Sequence, residues 1–144
     1  MVRDPKGNLY GTTEYGGPGS GTCEGGDYPA GCGVVFKVDT AGKETVLYSF
    51  SGTPDGFYPL GTLVRDAKGR LYGTTLAGGA LGAGTVFRVS TTGKEKVIHS
   101  FQGGTNDGAS PYAGLVRDAK GNFYGTTYAG GRSNYGMVFK LTPR

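Results

Sequence analysis

An internal repeat constrains the fold of this chain more than any other feature of its sequence. Three blocks of residues recur in the same order, with matching glycine, aspartate and aromatic positions in each copy. The first block occupies residues 2–13, 64–75 and 116–127, the second residues 34–38, 85–89 and 137–141, and the third residues 43–50 and 94–101. Self-similarity at a fixed period indicates stacked supersecondary units that cannot bury their apolar faces alone. The chain is therefore predicted to be a repeat protein.

Each unit has the pattern of four short β-strands rich in β-branched and aromatic residues. In the second unit, the predicted strands are a (63–65), b (71–75), c (85–89) and d (96–101). In the a–b turn, Asp66 is expected to hydrogen-bond the turn backbone and Gly69 to adopt a positive φ. Glycine takes 30 of the 144 positions, and each glycine inside a helix would cost about 1 kcal/mol. The predicted fold class is all-β.

A four-stranded meander that repeats about every 50 residues is typical of β-propeller blades. The alternative is a β-trefoil, for which the 52-residue spacing between the second and third units is long. The predicted blades are residues 1–52 with a long loop, residues 53–104, and residues 105–144 without strand d. Eleven strands are expected in total.

Residues 116–127 (Val-Arg-Asp-Ala-Lys-Gly-Asn-Phe-Tyr-Gly-Thr-Thr), followed by Ala-Gly-Gly and Gly-x-Val-Phe-Lys, resemble the GloVer tandem-repeat family. Residues 111–118 and 121–124 are similar to the first half of NHL-type propeller repeats. The resemblance covers nearly the whole chain except the insertion at residues 14–33. It implies a secreted or surface-anchored bacterial protein, and the family has no catalytic motif to carry over to this sequence.

Three blades do not close a propeller ring, which needs about four to eight, and an open array exposes apolar faces and unpaired edges. Either the chain is a fragment of a longer array, or several copies assemble, for example two chains in one ring. We expect a homo-oligomer, either a ring or a filament. The leading hypothesis for function is a non-enzymatic, self-assembling structural or surface scaffold.

Alternate connections of a meander lie on the same side of the sheet, so the long loops share one face. This long-loop face comprises residues 14–33, 76–84 and 128–136, together with about 51–62 and 102–114. Aromatic rings beside amides suit a sugar ligand, so the second hypothesis is a carbohydrate-binding, lectin-like module. The candidate ligand-binding residues are Tyr15, Tyr28, Tyr128, Arg132, Asn134 and Tyr135, with Tyr58, Tyr112 and Asn106 nearby. Packing between blades is the alternative role of these tyrosines, and the chain has no tryptophan.

Cys23 and Cys32 lie in the insertion of the first unit, and this spacing predicts a disulfide in a secreted protein. We therefore expect a secreted or cell-surface location, although the first residues contain no signal-peptide pattern. Two cysteines and one distant histidine do not provide four zinc ligands. Neither a metal nor a cofactor is expected, and no window is apolar enough for membrane insertion.

The charge pattern gives no support for nucleic-acid binding, because the net charge is only +4. The lysines at the short turns are interpreted as a solvated edge; they are Lys6, Lys43, Lys68, Lys94 and Lys120. His99 occupies the position of Tyr48 in the first unit, which indicates a packed strand residue rather than a catalytic base. Enzymatic activity is not expected.

Two further kinds of site have little support in the sequence. A pair of carboxylates among Glu14, Glu24 and Asp27 is the only hydrolase hypothesis that the insertion suggests. Asp55-Gly56 and Asp107-Gly108 recur between strands d and a, but they match turns rather than a calcium-binding loop.

Overall fold

A computed structural model describes residues 1–18, 23 and 31–143. These described residues form thirteen β-strands, and none of them forms a helix long and apolar enough to cross a membrane. The first sheet contains β1 (Val2–Arg3), β2 (Leu9–Thr13), β3 (Val34–Val38) and β4 (Glu44–Ser49). The second contains β5 (Val64–Arg65), β6 (Leu71–Thr75), β7 (Thr85–Val89) and β8 (Glu95–Ser100). The third contains β10 (Val116–Arg117), β11 (Phe123–Thr126) and β13 (Val138–Leu141).

The three sheets are antiparallel meanders in chain order, which confirms the all-β prediction, and each of the eleven expected strands has a counterpart in them. The predicted strand d is displaced by one residue, because β8 begins at Glu95 and ends at Ser100. A register shift between Val86 and Phe87 accompanies this pairing, and the first sheet has the same shift between Val35 and Phe36. The bulge is therefore a feature of the repeat.

The prediction omitted a fourth, two-stranded sheet. It pairs β9 (Gly108–Ala109) with β12 (Ala129–Gly130). The corresponding pairing in the preceding unit is the isolated bridge between Phe57 and Ala77. Short runs of Gly and Ala have no strand propensity, so the sequence carries no local signal for these pairings.

An aspartate organises each a–b turn, as predicted. In the first turn, Asp4 Oδ1 accepts hydrogen bonds from the N–H groups of Lys6 and Asn8, both at 2.9 Å. Its Oδ2 accepts from Asn8 Nδ2 at 2.8 Å and from the Tyr10 hydroxyl at 3.1 Å. The hydrogen bond from the Asn8 side chain is the largest influence, and together these bonds lower the pKa of Asp4 from 3.8 to about 2.

The other two a–b turns repeat this arrangement. At Asp118 the Asn122 side chain again lowers the pKa of the carboxyl. At Asp66, burial raises the pKa, but hydrogen bonds led by the one from Arg70 more than offset it. Each turn also has a glycine with positive φ, namely Gly7, Gly69 and Gly121.

A phenylalanine ring covers a glycine in the middle of each sheet. Gly73 pairs with Phe87 across β6 and β7, and a Cβ atom on Gly73 would lie 2.7 Å from the Phe87 Cζ. Gly11 with Phe36 and Gly125 with Phe139 form the equivalent pairs. The glycine is needed for close approach of the ring rather than for backbone freedom.

Two apolar clusters join the sheets. The first lies between the first and second sheets and includes Val35, Phe50 and Phe87, with the rings of Phe50 and Phe87 4.9 Å apart. The second lies between the second and third sheets, where Phe101 and Phe139 make the equivalent edge-to-face contact with ring centroids 5.1 Å apart. The second sheet is thus covered on both faces.

Replacing Gly73 with alanine should destabilise the protein by about 1–3 kcal/mol, because the new methyl displaces a fully buried Phe87. Gly11→Ala is the matched control. Phe36 is only half-buried and can move away, so this variant should lose less free energy of unfolding than Gly73→Ala. Urea unfolding of both variants measures this difference. Equal losses of unfolding free energy in the two variants would show that burial of the phenylalanine ring does not determine the cost of the added methyl group.

The aspartate turns predict a loss of stability in acid. Their pKa values are lower in the folded state than in the unfolded chain, so their contribution is complete above about pH 4 and disappears toward about pH 2. Asp4→Asn should flatten this part of the profile of unfolding free energy against pH. A variant profile parallel to that of the unmodified chain would contradict the assignment.

Candidate functional site

Backbone hydrogen bonds hold the long-loop face together. The N–H of Tyr58 donates to the carbonyl of Cys32 at 3.1 Å, and the Tyr58 carbonyl accepts from Leu76 N–H at 2.9 Å. Cys32 lies two residues before β3 of the first sheet, whereas Leu76 directly follows β6 of the second sheet. Tyr58 therefore joins loops that belong to neighbouring sheets.

Ser110 has the same role at the next junction. Its N–H donates to Ala83 and its carbonyl accepts from Tyr128 N–H, at 2.9 and 3.0 Å. Tyr58 and Ser110 both have positive φ, at 59° and 54°, and each precedes a buried proline. The positive φ is an uncommon conformation that tertiary contacts must maintain.

The candidate tyrosines form two separate pairs on this face. Tyr15 packs edge to face on Tyr58, with ring centroids 5.1 Å apart, and both side chains are half-buried. Tyr112 packs on Tyr128 at 5.6 Å, and these rings are 53% and 74% exposed. The second pair presents aromatic surface to solvent, whereas the first is a packing contact between loops.

The remaining candidates lie in the loop that follows Tyr128. Asn134 has positive φ, and its side-chain oxygen accepts the N–H of Gly130 at 2.9 Å, so this amide shapes the loop. Arg132 is exposed, and Tyr135 is 91% exposed. Tyr28, and the carboxylates Glu24 and Asp27 of the hydrolase hypothesis, lie outside the described residues.

Cys23 and Cys32 form the predicted disulfide, with Cα atoms 5.4 Å apart. Cys32 is buried in the first apolar cluster, and Cys23 packs against that cluster. The covalent link therefore attaches part of the insertion to the junction between the first and second sheets. Closure of a loop this short is worth roughly 2–3 kcal/mol.

His99 has the structural environment that the repeat predicts. Its Nε2 lies 3.1 Å from Asp107 Oδ2, and its ring packs on Phe101. In the first unit, the Tyr48 hydroxyl donates to Asp55 Oδ2 at 2.5 Å, and the Tyr48 ring packs on Phe50. Both aspartates also accept a backbone N–H from the loop after strand d. These two positions therefore connect strand d to the loop that follows.

Sequence reasoning missed an unpartnered carboxyl on β8. Glu95 is half-buried, and its Oε1 is buried without a hydrogen-bond partner among the described residues. The pKa of Glu95 is raised from 4.5 to about 7, mainly by burial and secondly by the nearby charge of Asp55. The equivalent Glu44 on β4 is exposed, so sequence alone does not distinguish the two positions.

The structure also exposes all five turn lysines, in agreement with a solvated edge. Among residues 1–18, 23 and 31–143, no cluster of three or more His, Cys, Asp or Glu side chains could hold a metal ion. Asp4, Asp66 and Asp118 accept hydrogen bonds within their own turns. On the described part of the long-loop face, the candidate residues form the two tyrosine pairs and a network of backbone hydrogen bonds.

These features define an all-β repeat protein whose units are joined through loops and apolar sheet faces. The family model described as the Gloeobacter/Verrucomicrobia repeat matches residues 1–144, and the chain belongs to that family. The predicted resemblance to the GloVer family is thereby confirmed. Comparison with curated proteins finds no match.

Replacing Glu95 with glutamine should stabilise the protein at alkaline pH. Because the folded-state pKa is raised, the carboxyl favours folding below pH 4.5, and this advantage is lost as the pH rises through about 7. Glu95→Gln should therefore melt at a higher temperature than the unmodified chain above pH 7. Glu44→Gln removes the same charge at an exposed position and serves as the control. A lower melting temperature for Glu95→Gln above pH 7 would contradict the prediction.

Proposed function

We propose that this protein is a non-enzymatic scaffold of β-propeller-type blades that assembles end to end with copies of itself. The assembly is either a closed ring or a filament. The observation that carries the proposal is that both ends of the sheet stack present apolar faces of the same kind as those buried inside it. Such faces mark interaction surfaces when they are exposed together.

The front face of the first sheet is the first of these surfaces. It includes Met1 and Leu9, and Leu9 is 36% exposed whereas the equivalent Leu71 of the second sheet is 1% exposed. Leu71 is covered by the first sheet. Full burial of a leucine side chain stabilises by about 1.5–3 kcal/mol, so covering this face would be favourable.

The rear face of the third sheet is the second surface. It includes Val116 and Val138, and Val138 is 75% exposed whereas the equivalent Val86 is 1% exposed and covered by the third sheet. The front face of one copy therefore matches the rear face of another, in the same way that the front of the third sheet packs on the rear of the second sheet. Such a head-to-tail contact produces a ring if it closes and a filament if it does not.

An extracellular location belongs to the same proposal. The disulfide between Cys23 and Cys32 supports it, because disulfides persist in oxidising compartments. The non-enzymatic role is supported by Asp4, which hydrogen-bonds within its turn, and by the Tyr48–Asp55 and His99–Asp107 pairs, which connect strand d to its loop.

Two charge variants test the assembly. Leu9→Asp places a charge on the apolar front face, and Val138→Asp places one on the apolar rear face. Each variant alone should therefore give single chains of 14.9 kDa. A mixture retains one intact front face and one intact rear face, and should form a heterodimer. Light scattering measures both masses, and Leu81→Asp, at an exposed residue outside both faces, is the control.

A folded, single-chain mass for the unmodified protein at every concentration would overturn the proposal. So would variants that assemble as the unmodified protein does. A mixture that remains as single chains would exclude the head-to-tail pairing.

The exposed pair of Tyr112 and Tyr128 favours a second candidate function, carbohydrate binding. Two rings 5.6 Å apart with open faces offer a stacking surface, and Arg132 and Tyr135 lie on the same loop as Tyr128. Sugar rings stack on aromatic faces while neighbouring polar groups accept and donate hydrogen bonds.

A glycan screen followed by substitution tests this candidate. Tyr128→Ala should weaken binding of any glycan found by about tenfold, which corresponds to about 1.4 kcal/mol, a typical aromatic contribution. Tyr15→Ala is the comparison, because that ring packs on Tyr58. Equal affinity for Tyr128→Ala and the unmodified chain would exclude the exposed pair as the site.

A further inference from the structure

Cationic side chains are concentrated on the side of the molecule where the short a–b and c–d turns lie. Among the described residues, this side has thirteen Lys and Arg side chains against six Asp and Glu side chains. The remaining described residues have one cation and three acids. The net charge of +4 for the whole chain therefore understates the charge of this side. We call it the short-turn face, and it comprises residues 2–10, 37–45, 64–72, 88–96, 116–124 and 140–143.

Contacts between the sheets bring their short turns together. At the first junction, burial and the hydrogen bond to Asp4 raise the pKa of Tyr10, and the positive charge of Arg65 in the second sheet opposes this rise. At the second junction, the ring centroids of Tyr72 and Phe123 lie 4.3 Å apart. Each of these residues lies in an a–b turn or close to one. The cations of the three sheets therefore belong to one surface.

The acids of the short-turn face are held within its turns, whereas most of its cations have no acidic partner. The carboxylates of Asp4, Asp66 and Asp118 accept backbone N–H groups of their own turns. Asp39 does the same in the first c–d turn. In the described part of the chain, Arg70 is the only cation of this face in an ion pair, with Asp66 at 2.6 Å. The other twelve cations are available to an external anion.

Three arginines occupy the same position before the three a–b turns, namely Arg3, Arg65 and Arg117. A Cβ atom on the glycine of each turn would lie between 3.0 and 3.4 Å from the Nη2 atom of its arginine, so each guanidinium lies over its own turn. The Nε of Arg65 is buried without a hydrogen-bond partner among the described residues. A guanidinium presents its donors in a rigid fork that matches an acidic group. This row therefore has unused donors for anions.

Strand c provides a second row of cations. Lys37, Arg88 and Lys140 occupy equivalent positions, because each pairs with the tyrosine of strand b in its own sheet. The two rows cross the stack and gain one cation each per sheet. Packed sheets lie about 10 Å apart, a distance comparable to the length of a disaccharide unit.

We propose that the short-turn face binds a linear anionic polysaccharide that lies across the three sheets, with its carboxylate or sulfate groups on the two rows of cations. A polymer that repeats its charge suits a surface that repeats its cations, because contacts made by one linked chain reinforce one another. The inference does not depend on the proposed assembly, since each chain has its own short-turn face.

The aromatic rings of this face favour a polysaccharide over single-stranded nucleic acid. The hydroxyls of Tyr10, Tyr72 and Tyr124 donate to the turn aspartates. Arg70 and Lys140 lie over the rings of Tyr72 and Tyr124. Proteins that bind single strands stack the bases on open aromatic rings, whereas these two rings already have a cation over them. The disulfide also favours an oxidising compartment, outside the cytosol.

Fluorescence anisotropy with labelled polygalacturonate and labelled dextran sulfate provides the test. Saturable binding of at least one of these acidic polysaccharides is expected, with an affinity that falls as the salt concentration rises. Neutral dextran of the same length should bind more weakly, since it has no charge to pair. The proposal would be overturned if neither acidic polysaccharide bound, if neutral dextran bound equally well, or if single-stranded DNA of equal charge bound more tightly.

Variants that each lower the net charge by one locate the site. Arg65→Gln should weaken binding of the acidic polysaccharide about tenfold, because a charged hydrogen-bond donor is lost. Lys68→Gln, at an exposed turn residue that should tolerate the change, should weaken it about threefold. Gln102→Glu makes the same change in net charge at an exposed residue of the long-loop face, and should leave the affinity unchanged. Equal affinities for all three variants would contradict the proposal, because total charge alone would then explain binding.

Discussion

The junction between neighbouring sheets depends on one residue whose backbone faces both of them. At Tyr58 and at Ser110, the N–H donates to the loop of the preceding sheet and the carbonyl accepts from the loop of the following sheet. Each residue holds a positive φ that the local sequence does not favour. At the same two junctions, Phe50 packs on Phe87 and Phe101 packs on Phe139. Apolar burial then stabilises the stack, because a small sheet is not stable alone.

The first and third sheets each have one face that no neighbouring sheet covers, and the residue types on these faces are those of the buried faces. The front of the first sheet and the rear of the third have the residue types of the interior, but leave them exposed. The proposed assembly follows from this one property. In this proposal, the exposed apolar faces of the first and third sheets are the surfaces through which the protein acts.

Sequence alone predicts the regular part of this fold well, because the repeat supplies each observation more than once. The equivalence of His99 with Tyr48 is an example: the structure gives both an aspartate partner and a phenylalanine neighbour. The sequence does not predict the β9–β12 pairing, because this pairing depends on loop contacts between residues without strand propensity. The sequence does not predict the burial of Glu95 either. Its repeat equivalent, Glu44, is exposed, and only the packing of neighbouring sheets distinguishes the two glutamates. For the same reason, sequence grouped Tyr15 with Tyr128, although one packs and the other is open.

Hydrogen exchange measured over a concentration series tests the central claim most directly, because it locates the faces that become covered. If the end faces stack on one another, amide protection in β2 and β13 rises with protein concentration, while protection in β6 and β7 of the covered second sheet stays constant. Protection that is independent of concentration throughout the chain, in a protein that remains folded, would contradict the claim that the ends of the stack are interaction surfaces.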